Sequence, residues 1–297
     1  MSPPRPLIGI LLMLGAVMCF AALDATSKHL SQTFPVPMLV WSRYTLHCLL
    51  MVIFLAPSMR WRLVKTTRPR LQVVRAMLLV GTTGFSMAGF RIMPLAESTA
   101  FLFVAPLVVV ILAHFLLDEE IGKGRWLAVI GGFAGALLIA RPGGAISLEG
   151  GLLMSAAAIC YAVYQIQTRL LSPFEHPLTM LFYTALVGTV SMTLAAPLYW
   201  GGPAPNPWQG LMIASLGLYG GFGHFLLTHA FRHATASTLS PFLYAQLVWA
   251  TLFGWLFYDH LPDGLSFVGI AVIAAASISI AIGERMKRNA VVATEAG

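Results

Sequence analysis

The chain has 297 residues, 58% of them hydrophobic and 10% charged, with a mean hydropathy of +0.81. That is more apolar surface than a water-soluble core of this size can hide, so the composition excludes an ordinary soluble domain and makes lipid the solvent. The formal net charge of +7 would also suit a nucleic-acid binder, but membrane proteins carry basic loops for topology, and the distribution of the charge decides between the two.

About twenty apolar residues, at 1.5 Å per residue, cross a hydrocarbon core about 30 Å thick. Ten such stretches are predicted, near 7 to 28, 37 to 57, 73 to 92, 95 to 116, 125 to 141, 150 to 170, 177 to 198, 208 to 230, 236 to 257 and 264 to 283. Backbone groups in lipid must be bonded within their own segment, and these runs are too long for the strands of a barrel. The expected fold is therefore an all-α integral membrane protein. At its start, Arg5, the apolar run from Leu7 and the small Ala21 and Ala22 imitate a cleavable signal peptide. The match of this first span to the sixth, described below, argues that it is retained.

Span one carries Phe20, then Asp24 and Lys28 four residues apart on one face. That spacing reads as a self-neutralising pair near the external end. Arg43, about six residues inside span two, requires a counter-charge, for which Glu97 or Asp24 is available; the group could act as an external gate or brace. A basic block, Arg60, Arg62, Lys65, Arg68, Arg70 and Arg75, separates spans two and three. Phe85 lies in span three and Phe103 and Pro106 in span four. Span six holds Tyr161, Tyr164 and Gln165, span eight Gly220 and His224, and span nine Pro241, Gln246 and Trp249.

These mid-span aromatics and polar groups are the candidate cavity lining, since solute sites in carriers combine apolar walls with a few convergent polar groups. Gln246 is the deepest strongly polar amide and needs a partner there. Pro106 and Pro241 each remove a backbone donor and free a carbonyl one turn earlier. Cys19, Cys48 and Cys160 fall inside spans with no metal-ligand spacing. No metal, cofactor or catalytic residue is expected, because the G-x-S-x-G, H-E-x-x-H and nucleotide-loop patterns are all missing from the sequence.

Of the 18 Lys and Arg residues, 14 fall on the side that holds both termini; Lys28, Arg91 and Arg141 fall on the other, and Arg43 lies within a span. The positive-inside rule then places both termini in the cytoplasm. Residues from about 15 to 140 echo in residues from about 156 to 280: Cys19-Phe20-Ala21 aligns with Cys160-Tyr161-Ala162, Gly81 with Gly221, and Ala105 with Ala245. Five spans per copy is an odd number, so the second copy enters the membrane from the opposite face. The six basic residues of the second loop have no basic counterpart between Tyr199 and Pro207, as that inversion requires. The expected architecture is ten transmembrane helices as two inverted five-helix repeats, with 1–145 the first, 146–285 the second and 286–297 a cytoplasmic tail. Inverted repeats can exchange conformations, which gives alternating access.

Ten spans in two halves, small residues early in spans four and nine, Pro106, the closing Glu119-Glu120, the Gly-rich stretch from Gly131 to Gly135, and Arg43 together resemble the drug/metabolite transporter superfamily, specifically its EamA-type members. Within it the chain looks most like the bacterial YddG-type amino-acid exporters. The resemblance implies a multi-pass carrier of the bacterial inner membrane, surrounded by lipid, without an ATPase domain and with no nucleic-acid partner. It further implies export of apolar or aromatic amino acids or similar small metabolites, by a protein expected as a monomer. The alternative is a carrier of the same fold for a vitamin or drug-like metabolite, importing or proton-coupled.

Overall fold

The computed structural model describes residues 6–117, 123–140, 147–171, 173–199, 201–233 and 242–295. Its elements are α1 (Pro6–Ser31), α2 (Val36–Met59) with a 3-10 turn (Arg60–Leu63), α3 (Pro69–Ile92), α4 (Leu95–Leu102), α5 (Ala105–Leu117), α6 (Lys123–Ala140), α7 (Leu148–Leu171), α8 (Pro177–Tyr199), α9 (Pro207–His233), α10 (Ala245–Tyr258) and α11 (Gly264–Glu295). Prolines open α3, α8 and α9, where a missing N–H forfeits no helical bond. By length and composition α1, α2, α3, α8 and α9 can each cross a membrane, and shorter apolar helices occupy the remaining spans apart from α7, which runs for 24 residues.

The predicted fourth span is not one helix. It breaks at Phe103 and Val104, whose N–H groups turn back to the carbonyls of Ala100 and Phe101 at 3.0 Å each. Pro106 is the second residue of the helix that follows, so it begins α5 rather than kinking a continuous span. The second copy does the same: α10 starts at Ala245, the counterpart of Ala105, after a turn at Tyr244. Both copies therefore start a helix inside the bundle.

The packing carries the duplication into three dimensions. α1 packs on α9 as α3 packs on α7, α2 on α9 as α3 on α8, and α5 on α7 as α10 on α1; α2 with α8 and α6 with α11 are self-equivalent. The largest helix contacts thus join the two repeats. In lipid, association rests on close packing rather than on expelling water. Gly135 and Gly269 illustrate it at the crossing of α6 and α11: a Cβ built on Gly135 would lie 2.8 Å from the Gly269 carbonyl oxygen. The main core gathers Phe90, Leu95, Phe101, Leu107, Ile139, Met154 and Ile273, while Leu11, Phe54, Leu127, Leu137 and Leu194 point outward as a lipid-facing rim.

One basic residue is not where the loop count put it. Arg75 is in the second turn of α3 and only 3% exposed, because α3 already begins at Pro69. The last helix also continues to Glu295, through most of the segment expected as a tail.

Candidate substrate site

Asp24, Lys28, Arg43 and Glu97 each make a side-chain contact, and two of the expected pairings change. Lys28 does not pair with Asp24. Its Nζ donates to the carbonyls of Phe90 (2.8 Å) and Met93 (2.6 Å) and lies 5.4 Å from the centre of the Tyr258 ring. The reason is that carbonyls at the end of α3 have no donor of their own and draw a cation. Glu97 is fully buried, with Oε1 3.2 Å from His260 Nε2 and Oε2 without a partner. It braces α4 against the loop after α10 and is not the counter-charge of Arg43.

Asp24 and Gln246 meet instead, with Gln246 Nε2 donating to Asp24 Oδ2 at 3.0 Å. This joins α1 of one repeat to α10 of the other and supplies the amide partner that burial demands. Arg43 Nη1 donates to Thr83 Oγ1 at 3.4 Å, and its guanidinium stands 5.7 Å from the Tyr44 ring centre. Among the described residues no ion pair joins it to Asp24.

Aromatic rings from both repeats share the helices of the Asp24 and Gln246 pair, Phe20 one turn before Asp24 and Tyr244 two residues before Gln246. Phe20 and His224 have centroids 5.0 Å apart, and Gly223 leaves the room for Phe20 to approach α9. Tyr161 and Tyr164 stack at 5.8 Å, and Phe103 meets Tyr244 at 5.1 Å, so the two helix breaks face each other through their aromatic residues. Gly220 leaves space beside Arg43 Nε, where a Cβ would come within 3.5 Å. Tyr161 lies deep in the protein yet keeps 37% of its surface accessible, and Asp24 and His224 are likewise deep but only half-buried.

Trp249 is placed differently: it packs with Met13, Val17 and Leu243 and meets the Phe253 ring at 5.9 Å. Phe85, 39% exposed, and Gln165 make no ring contact or hydrogen bond with the cluster. Pro241 and the Glu119-Glu120 pair lie outside the described residues.

Three residues at the site went unselected in the sequence. Arg75 donates through Nε to Thr168 Oγ1 (2.7 Å), through Nη1 to the Met180 carbonyl (3.0 Å) and Thr184 Oγ1 (3.1 Å), and through Nη2 to the Tyr164 hydroxyl (2.9 Å). One side chain of the first repeat thereby fixes α7 and α8 of the second and sets the Tyr164 ring. The signal was Pro69, which starts the helix early enough to carry Arg75 inward. His47, one turn after Arg43, stacks on His224 at 6.3 Å, and Tyr44 donates to the Leu79 carbonyl.

Two repeats packed on one another, each starting a helix inside the bundle, define a duplicated helical membrane protein. The EamA-like transporter family matches residues 7–141 and 148–282, and the chain belongs to that family. It is 31% identical over 222 residues to the S-adenosylmethionine uptake transporter of Rickettsia bellii, covering 74% of this chain and 75% of that protein. It is 28% identical over 273 residues to the riboflavin transporter of Vibrio cholerae, covering 91% of each. The riboflavin transporter of Rhizobium johnstonii is 26% identical over 293 residues, covering 97% of this chain and 95% of its own. A solved crystal structure aligns with a TM-score of 0.66 at 18% identity, over 94% of this chain and 98% of its own, which shows the fold alone. The protein is thus a small-metabolite transporter and not an enzyme.

Proposed function

We propose that this protein carries a metabolite of the vitamin or nucleoside class, with a flat heteroaromatic ring, across the bacterial inner membrane by alternating access. The amino-acid-export reading gives way to the metabolite alternative, which two kinds of relative support. One kind is named for S-adenosylmethionine uptake, the other for riboflavin. The observation that carries the reading is the set of ring pairs, Phe20 with His224, Tyr161 with Tyr164 and Phe103 with Tyr244, with Asp24 one turn from Phe20 and Gln246 two residues from Tyr244; we read them, with Arg43, as the lining of a hollow between the repeats. Stacking faces suit a planar ring, and a small number of polar groups orients it.

The two repeats exchange roles in the transport cycle, one closing the hollow to the cytoplasm and the other to the outside. Domains 1–145 and 146–285 are the moving halves, and both termini are cytoplasmic. The test is uptake into vesicles reconstituted with the purified protein, using labelled S-adenosylmethionine, riboflavin and tryptophan, with and without a proton gradient. Uptake of either of the first two above protein-free vesicles and above tryptophan is expected. Uptake of tryptophan alone restores the amino-acid reading, and flux equal to empty vesicles for all three refutes a carrier of this class.

A further inference from the structure

We infer that Arg43 and Asp24 together read a zwitterionic α-amino-acid head group, the carboxylate on Arg43 and the ammonium on Asp24, while the aromatic rings take the ring at the other end of the same molecule. This rests on the carrier reading above and narrows it to ligands that combine a flat ring with an amino-acid head, as S-adenosylmethionine does and riboflavin does not.

The geometry supplies the argument. Arg43 has five N–H donors and uses one, on a long 3.4 Å bond to a threonine hydroxyl. Asp24 has one oxygen engaged, by the Gln246 amide, and the other free. Fully buried polar atoms without a partner occur among the described residues at Thr45, Gln72, Glu97, Gln167 and Ser266, and none belongs to Arg43 or Asp24. The idle donors of Arg43 and the idle oxygen of Asp24 therefore keep accessible surface, where a ligand can reach them. Gly220 of α9 lies against Arg43 Nε, and Gly223, one turn along, lies against Phe20, one turn before Asp24, so both groups come to one stretch of α9; a guanidinium on one side and a carboxyl group on the other are the pattern of an amino-acid zwitterion in reverse.

Contrast with Arg75 sharpens the assignment. Arg75 is closed off by four hydrogen bonds to neutral groups and has a structural task. Arg43 is flanked by Gly220, whose Cβ would stand in ordinary contact 3.5 Å from its Nε, and uses one donor of its fork, leaving the others for a bidentate acceptor. A sulfonium or ring nitrogen carried behind the head group would lie against the face of Tyr161 turned away from Tyr164, whose own ring already carries the Arg75 guanidinium 4.7 Å from its centre.

The experiment compares binding of S-adenosylmethionine, its decarboxylated form, 5′-methylthioadenosine and riboflavin to the purified full-length protein, together with tryptophan and tryptamine. The wild type is expected to bind each carboxylate-bearing ligand roughly ten- to a hundredfold more tightly than its decarboxylated partner, the worth of a charge-assisted pair. Arg43→Gln is expected to erase that ratio by weakening the carboxylate-bearing ligands without weakening the cationic decarboxylated ones, which lose a like-charged neighbour, and Arg43→Lys to retain part of it. Asp24→Asn is expected to weaken decarboxylated S-adenosylmethionine and tryptamine and to leave 5′-methylthioadenosine alone. Equal wild-type affinity within each pair, or an Arg43→Gln loss of the same size for every ligand, overturns the inference. Binding of riboflavin with no binding of either amino-acid series overturns it too, yet leaves the carrier reading standing; binding of none removes both.

Discussion

The crossing of α6 and α11 allows one chemical change to be made at two places in one helix with opposite outcomes. A Cβ at Gly135 would meet the Gly269 carbonyl oxygen at 2.8 Å, Ile273 Cγ1 at 2.9 Å and the Ile273 nitrogen at 3.2 Å. Two of these neighbours are backbone and cannot rotate aside, so relief requires the helices to part by about 0.5 Å, a gap that forfeits a quarter or more of each contact along the seam. Overpacking of this kind costs about 1–3 kcal/mol. At Gly131, one turn earlier, a Cβ meets nothing within 4 Å. There the added methyl group only restricts the unfolded backbone and favours the helix, worth about 0.5–1 kcal/mol in the opposite direction. Thermal unfolding of the purified protein in detergent should place Gly135→Ala below the wild type and Gly131→Ala at or above it. If both variants move the same way, or Gly135→Ala is as stable as the wild type, backbone contact does not hold these helices together.

Tyr164→Phe removes the acceptor of Arg75 Nη2, and a loss of about 1–3 kcal/mol is expected for leaving a charged donor unpaired; unchanged unfolding would show that the hub does not depend on that bond. Glu175, in the turn between α7 and α8, accepts at Oε1 from Thr66 Oγ1 (2.7 Å), Thr67 N (2.8 Å) and Thr67 Oγ1 (2.8 Å). Burial pushes its carboxyl up, but the hydrogen bonds from Thr66, Thr67 and Arg68 outweigh it and hold the group below its ordinary value. A depressed carboxylate stabilises the fold above its unfolded value of about 4.3 and loses that contribution as pH falls through the folded one. The stability advantage over Glu175→Gln should therefore shrink below about pH 4, and an advantage constant with pH would refute the assignment. A cysteine at Ala204 should react with an impermeant thiol reagent in intact cells and one at Lys65 should not, given that the native cysteines lie within helices. Labelling of both positions would contradict the inversion.

Much of the architecture was legible because lipid imposes a simple rule: apolar runs of sufficient length become helices, and basic residues mark one side. The repeat was legible for the same reason that the packing is symmetric, since Ala105 and Ala245 start equivalent helices. Arg43, Asp24 and Gln246 were conspicuous because polar groups inside a span need company. Their partners were not legible. Lys28 was four residues from Asp24, a spacing that suits a pair, but the free carbonyls of Phe90 and Met93 lie beside it only once α3 has packed on α1.

Sequence alone therefore determined that the chain is helical, duplicated, embedded in lipid and built to carry a solute, because these follow from composition and periodicity along one dimension. Only the tertiary structure decided that Gln246 answers Asp24, that Glu97 answers His260, that Arg75 ties three helices together and that Arg43 is left open. Each of those choices is a competition between neighbours brought together from distant parts of the chain, and in a low-dielectric interior the nearest available partner wins.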